Sequence, residues 1–142
     1  MRNFLRSKGA VILADIVTMV ILHGNSRQFW PKIPYLSLRD ESVGEHTRLL
    51  FNTLTLVSIG QALLGRLPRG RLLPRAAAVG AIPATLPALI GLNTRVLRLR
   101  PPFSEVYNLA LVLLLPVGAA LLEDAVAAAI AAQAGEPQEP GL

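Results

Sequence analysis

A long uncharged stretch with a polar stripe limits what this chain can fold into. Residues 49–64 contain no charged side chain and are mostly apolar. This composition is typical of a helix that faces hydrocarbon, because a helix bonds all of its backbone groups internally. Polar residues nevertheless recur every three or four positions, which places them on one side of the helix: Arg48, Asn52, Thr55, Ser58 and Gln61. Since polar groups in lipid are costly, we expect this side to face other helices or a wet cavity.

The composition favours a membrane protein with one domain. Of 142 residues, 52% are hydrophobic and only 16% are charged, which is more apolar than an ordinary soluble domain. Apolar runs separated by polar turns predict four transmembrane helices, at about residues 5–23, 46–66, 72–92 and 103–122. We therefore expect an all-α integral membrane protein, a small multi-pass bundle formed by residues 1–134. A longer polar loop at about 24–45 and a short disordered tail at 135–142 complete the prediction.

The positive charge is distributed as in a protein that lies against lipid head groups. The net charge is +5, but the basic residues form short clusters between the apolar segments and not one basic face. This distribution argues against nucleic acid as a partner and favours the lipid bilayer. In a four-span topology the 14 basic residues divide equally between the two sides, so they do not fix the orientation.

The first apolar segment has the outline of a secretory signal peptide but departs from it in two ways. Asp15 interrupts its apolar core, and residues 23–26 offer no Ala-x-Ala cleavage site. We therefore favour a retained first span, with Lys8 reaching out to the interface. A carboxylate inside a span costs roughly 2.5–3.5 kcal/mol on insertion scales, so Asp15 marks either a function or a specific partner.

The second and third spans carry local signals of their own. Ser42 followed three residues later by Glu45 has the form of a capping box, which predicts a helix start near Ser42. The third span carries small residues at every fourth position, a pattern that lets another helix approach closely: Ala76, Gly80, Ala84 and Ala88. Pro83 and Pro87 lie in the same span, where spanning helices tolerate proline as a kink.

The sequence offers few side chains for thiol chemistry or for metal binding. The chain has no cysteine, which excludes disulfide exchange, iron–sulfur clusters and cysteine-based zinc sites. Its only histidines are His23 and His46. Haem held by two histidines usually needs them deep inside a bundle, whereas these two lie at the ends of predicted spans. We expect no metal site and no cofactor.

Polar residues converge at one end of the predicted bundle. If the spans alternate in direction, the first ends where the second begins, and the third ends where the fourth begins. We assign a substrate-binding role to five polar side chains near that end: His23, Arg48, Asn52, Asn93 and Asn108. Four further groups can carry protons in general acid–base catalysis: Asp15, Glu45, His46 and Glu105.

Several of these assignments have a simpler structural alternative. Asp15 can lock helices together by bonding Thr18 or the polar side of the second span. Glu45 and Glu105 lie near helix starts, where acidic side chains oppose the positive end of the helix dipole. The two histidines can equally be solvated loop residues.

Two hypotheses of function follow from these patterns. In the first, the protein is a small membrane-embedded enzyme that acts on a lipophilic small molecule, such as a terpenoid, sterol or polyketide. The reaction is an isomerisation or cyclisation by general acid–base catalysis in a polar pocket at one end of the bundle. In the second, the protein is a non-catalytic accessory or scaffold subunit of a larger membrane complex, and a partner membrane protein docks on the small residues of the third span.

Overall fold

Four helices make up most of the described part of the chain. The computed structural model describes residues 2–24, 33–39 and 42–135, and there is no β-strand among them. The helices are α1 (Arg2–His23), α2 (Val43–Leu63), α3 (Leu72–Gly91) and α4 (Phe103–Gly135). The predicted all-α class is confirmed for these residues. The predicted disordered tail lies outside them except for Gly135, and so do residues 25–32 and 40–41 of the predicted loop.

Local sequence explains where α2 begins and ends. The side chain of Ser42 accepts a hydrogen bond from the backbone N–H of Glu45, which confirms the helix start predicted there. At the other end, the N–H groups of Gly65 and Arg66 turn back to the carbonyls of Ala62 and Gln61. Gly65 has a φ of +66°, a left-handed conformation that glycine adopts without strain. The chain therefore leaves α2 through a glycine-dependent turn.

The helices alternate in direction around a ring. Each helix packs on the next one in the chain, and α1 closes the ring against α4. Lys8, near the start of α1, contacts Glu123, late in α4, whereas His23 at the end of α1 lies beside His46 at the start of α2. The hydroxyl of Tyr107, early in α4, donates to the carbonyl of Leu89, late in α3. Segments 66–75 and 123–124 therefore share the end at which α1 begins.

The last two helical segments are the most apolar part of the fold. Arg69–Leu97 and Phe103–Gly135 are each long and apolar enough to cross a membrane. Helix α4 has 33 residues and is therefore about 50 Å long, more than the roughly 30 Å of a bilayer's hydrocarbon core. Pro83 and Pro116 lie inside α3 and α4 and are buried. Residues 125–135, which extend α4 beyond the predicted fourth span, are mostly exposed.

The core between the helices is apolar and is built mainly from leucine and alanine. Leu50 and Leu54 of α2 are completely or almost completely buried, as are Ala78 of α3 and Ala119 of α4. The outward faces are apolar too, which a soluble bundle would not require: Leu13, Phe51, Ile59, Leu73, Leu109 and Leu114 are each between 46% and 67% exposed.

Candidate functional site

Charged side chains from three helices meet inside one end of the bundle and form what we call the ionic layer. Its members come from α1, α3, α4 and the turn before α3, and they comprise three cations and three anions: Lys8, Asp15, Arg71, Arg75, Glu123 and Asp124. Such residues are rare inside membrane helices and nearly always pair with one another.

Arg75 is the centre of the ionic layer. Its guanidinium lies 3.6 Å from the Asp15 carboxylate of α1 and 3.5 Å from the Glu123 carboxylate of α4. Its Nε donates a 2.6 Å hydrogen bond to the hydroxyl of Ser58 in α2, which in turn donates to the carbonyl of Leu54. Arg75 therefore connects all four helices through one side chain.

The ionic layer reaches from the bundle interior to its end. Glu123 accepts a 2.8 Å hydrogen bond from Lys8, and Asp124 is paired with both Lys8 and Arg71. Lys8, Arg71 and Asp124 are partly exposed, whereas Arg75, Glu123 and Asp15 are buried. Both carboxylate oxygens of Asp15 lack a hydrogen-bond partner within the described structure, so its ion pair with Arg75 is the contact that compensates its charge. In this arrangement, buried ion pairs between different helices hold the helices together.

A second polar cluster holds the segment 33–39 against α2. The guanidinium of Arg48 donates to the carbonyls of Tyr35 and Ser37, and the Asn52 amide donates to the carbonyls of Tyr35 and Leu36. Glu45 accepts from Arg48 and from the backbone N–H of Arg39. These three α2 side chains therefore hold backbone in place, a role that their positions alone did not predict.

The end of the bundle opposite the ionic layer contains a groove between all four helices. Its volume is about 740 Å³, within the range of pockets that hold small molecules. Apolar side chains form most of its wall: Met19, Val20, Leu49, Leu86, Leu109 and Val112 are among them. Its polar side chains are His23, His46 and Asn108.

The two histidines of the groove lie side by side with defined hydrogen bonds. Their ring centroids are 5.4 Å apart and the ring planes are inclined by 53°. Nδ1 of His23 lies 2.9 Å from the carbonyl oxygen of Gly24, and Nδ1 of His46 lies 2.9 Å from that of Ser42. A carbonyl oxygen can only accept a hydrogen bond, so Nδ1 carries a proton in both rings.

The structure brings only some of the residues assigned from the sequence to the groove. His23, His46 and Asn108 line it, whereas Glu45, Arg48 and Asn52 bind segment 33–39 instead.

Asp15 belongs to the ionic layer near the other end, and its carboxylate makes no hydrogen bond to Thr18, Asn52 or Gln61. Glu105 is exposed in the first turn of α4. Asn93 is buried in the π-helical segment Leu92–Leu97, and its Oδ1 has no described partner.

Apart from Asp15, the charged residues of the ionic layer were not identified as candidate site residues from the sequence. In the sequence, Arg71 and Arg75 belong to one of the basic clusters beside the apolar segments, and Glu123 and Asp124 follow directly after the predicted fourth span. One signal was present: Arg75 lies three residues inside the predicted third span, so it carries the same burial cost as Asp15 and has the opposite charge. Considering Arg75 and Asp15 as an ion pair would have identified the centre of the ionic layer.

The fold and the two polar centres define a class of protein. This is an all-helical chain with two helices able to cross a membrane, an internal ionic layer at one end and an apolar groove with two histidines at the other. No protein-family model matches the sequence, and no curated protein or solved structure matches it either.

Proposed function

We propose that all four helices cross the membrane and that the protein is a multi-pass integral membrane protein. The length and composition of Arg69–Leu97 and Phe103–Gly135, each sufficient to cross a membrane, support this. Helices α1 and α2 are less apolar overall, but the central turns of α2 carry no charge. In the centre of α1 the charged side chain points inward: Asp15 is only 1% exposed, whereas Leu13 and Val17 beside it are about half exposed or more. Apolar faces outside and ion pairs inside are the arrangement that a bilayer favours.

Single-cysteine labelling tests this topology, because the chain has no native cysteine. Tyr35→Cys and Thr94→Cys should react with a membrane-impermeant maleimide from one side of the membrane, and Gly70→Cys from the other. If only α3 and α4 cross, Tyr35→Cys and Gly70→Cys will instead react from the same side. If no helix crosses, the protein will stay in the soluble fraction without detergent. Membrane vesicles of known orientation supply the measurement.

We propose further that the groove binds a lipophilic small molecule and that the protein isomerises or cyclises it by acid–base catalysis. The observation that carries this proposal is the pair of histidines in the wall of a mostly apolar groove. Imidazole is the side chain most often used for proton transfer near neutral pH. Among the residues assigned from the sequence, His46 then takes the proton-carrying role, and His23 and Asn108 contact the substrate.

The chemistry requires no partner beyond the substrate. Nε2 of His46 removes a proton from a carbon next to a carbonyl group, and the electron pair moves to the carbonyl oxygen to give an enolate. The Asn108 amide donates a hydrogen bond to that oxygen. His46 returns the proton to a conjugated carbon, so the double bond shifts and the isomerisation is complete with atoms and charge balanced.

Deuterium incorporation measures this proton transfer directly. Geranylacetone, incubated in D₂O with the protein in lipid nanodiscs, should exchange the hydrogens beside its carbonyl faster than with empty nanodiscs. His46→Gln should reduce the protein-dependent rate by about 10²–10⁴-fold, because that is the usual contribution of a positioned base. Thr47→Val is the matched control, since Thr47 bonds only its own helix and lies outside the groove.

Equal exchange in wild type and His46→Gln would remove the acid–base assignment and favour the accessory or scaffold role. One observation supports that alternative. The small residues of α3 are all exposed and not used inside the bundle: Ala76, Gly80, Ala84 and Ala88. A helix of a partner membrane protein could approach closely there, and its co-purification in mild detergent would identify it.

A further inference from the structure

We propose that the connection between α3 and α4 binds the phosphate groups of anionic phospholipids in the adjoining membrane leaflet. This inference rests on the proposed topology and adds a lipid preference to it. The two segments that are long and apolar enough to cross a membrane are Arg69–Leu97 and Phe103–Gly135, so only residues 98–102 separate them. A link of this length has to stay close to the ends of the two helices that it joins. It therefore lies at the membrane surface when both helices cross.

Cationic and apolar side chains alternate around this link, and we call residues 95–103 the basic connection. Its three arginines are exposed: Arg95, Arg98 and Arg100. Four apolar side chains are exposed between and beside them: Val96, Leu97, Leu99 and Phe103. At the boundary between head groups and acyl chains, guanidinium groups can reach phosphate while the apolar groups beside them enter the hydrocarbon. The next acidic residue along the chain is Glu105, so three arginines stand against one carboxylate and favour a lipid with net negative charge.

The backbone of the basic connection is held in a defined turn. Arg98 has a φ of +48°, and its backbone N–H donates a 2.6 Å hydrogen bond to the carbonyl of Asn93. Its side-chain Nε donates to the carbonyl of Arg95. The bond from Tyr107 to the carbonyl of Leu89 joins the start of α4 to the end of α3. A turn that is already ordered costs less entropy when its arginines bind a phosphate.

The arginines at the opposite end of the bundle are partly used by the protein itself. Arg75 is buried in the ionic layer, and Arg71 is paired with Asp124. Arg66 and Arg69 complete that cluster and are exposed. The ionic layer therefore engages half of the cluster at residues 66–75, whereas all three arginines of the basic connection are exposed. We expect the stronger preference for anionic lipid at the basic connection.

Fluorescence quenching by brominated lipids measures which lipids lie beside the basic connection. The chain has no cysteine, so Val96→Cys carries a bimane label at one position. The labelled full-length protein is placed in phosphatidylcholine nanodiscs that contain a small fraction of brominated phosphatidylglycerol or of brominated phosphatidylcholine with the same acyl chains. Brominated phosphatidylglycerol should quench the label at least about twofold more strongly, because anionic lipid is enriched beside cationic side chains.

Two arginine pairs test whether the basic connection causes this preference. Arg95→Gln/Arg100→Gln, made in the labelled Val96→Cys protein, should abolish the difference between the two brominated lipids. Arg66→Gln/Arg69→Gln removes the same charge at the opposite end and should leave the difference unchanged. Equal losses in the two variants would assign the effect to the net charge of the protein and overturn the inference.

A second label position compares the two ends of the bundle. Gly70→Cys is suitable because Gly70 lies in the turn between Arg69 and Arg71, where an added side chain meets open space. Its label should show a weaker preference for phosphatidylglycerol than the label at Val96→Cys, and an equal or stronger preference would contradict the comparison of the two clusters. Equal quenching by both lipids at Val96→Cys would overturn the lipid preference and leave the topology intact. If neither lipid quenches that label, the connection lies away from the bilayer, and the proposed topology fails together with the inference.

Discussion

Replacing Arg75 with methionine should destabilise the folded protein by about 3–5 kcal/mol, the usual cost of removing one partner from a buried ion pair. Arg75 is 2% exposed and faces two buried carboxylates, Asp15 and Glu123. Methionine keeps most of the side-chain volume, so the loss would come from uncompensated charge and not from a cavity. Reversible unfolding in mixed micelles, at increasing fractions of denaturing detergent, measures the change.

Rescue distinguishes charge from packing in this prediction. Glu123 retains Lys8 when Arg75 is removed, whereas Asp15 has only Arg75 in the described structure, so neutralising Asp15 should restore much of the loss. Arg75→Met/Asp15→Asn should therefore be more stable than Arg75→Met alone. Arg69→Met is the surface control and should change stability by no more than about 0.5 kcal/mol, because Arg69 is exposed. A double variant no more stable than the single one would contradict the charge argument.

The ionic layer and the groove, at opposite ends of the bundle, have different roles. Every charged side chain in the ionic layer is matched by one of opposite sign, and the layer contacts all four helices through Arg75 and Ser58. We therefore expect the layer to favour one register and order of the helices, because an alternative packing would leave charges unpaired in apolar surroundings. The groove at the other end can then be mostly apolar without loss of specificity in the fold.

Helix positions could be predicted from the sequence because they depend on local patterns. The apolar runs predict the positions of all four helices, and the capping pattern at Ser42 marks the residue at which α2 begins. The end of α4 also follows from local composition: alanine is a strong helix former, so the Ala-rich residues 125–134 are expected to continue the helix beyond the predicted fourth span, and α4 extends to Gly135. Bilayer compatibility and helix formation are different properties, and only the first ends near residue 122.

The candidate site was only partly predictable, because side-chain direction and pairing depend on contacts far apart in the chain. Alternation of the helices correctly gathers His23, His46 and Asn108 at one end. It could not show that Arg48 would turn towards segment 33–39, nor that Asp15 would turn towards Arg75. Arg75 and Asp15 are 60 positions apart, and the spacing of residues carries no information about such a pair.

Replacing Arg48 with methionine should release segment 33–39 from α2. Arg48 donates to two backbone carbonyls and pairs with Glu45, and hydrogen bonds to charged groups contribute about 1.5–3 kcal/mol each. We therefore expect hydrogen exchange at the amides of Leu36, Ser37 and Leu38 to accelerate by at least about tenfold, while amides in the centre of α3 keep their protection. Arg39→Met is the control, because Arg39 joins the cluster through its backbone N–H and has an exposed side chain. Unchanged exchange in Arg48→Met would mean that the bond from Leu38 to the Leu22 carbonyl, together with burial of Leu38 itself, is sufficient to hold the segment.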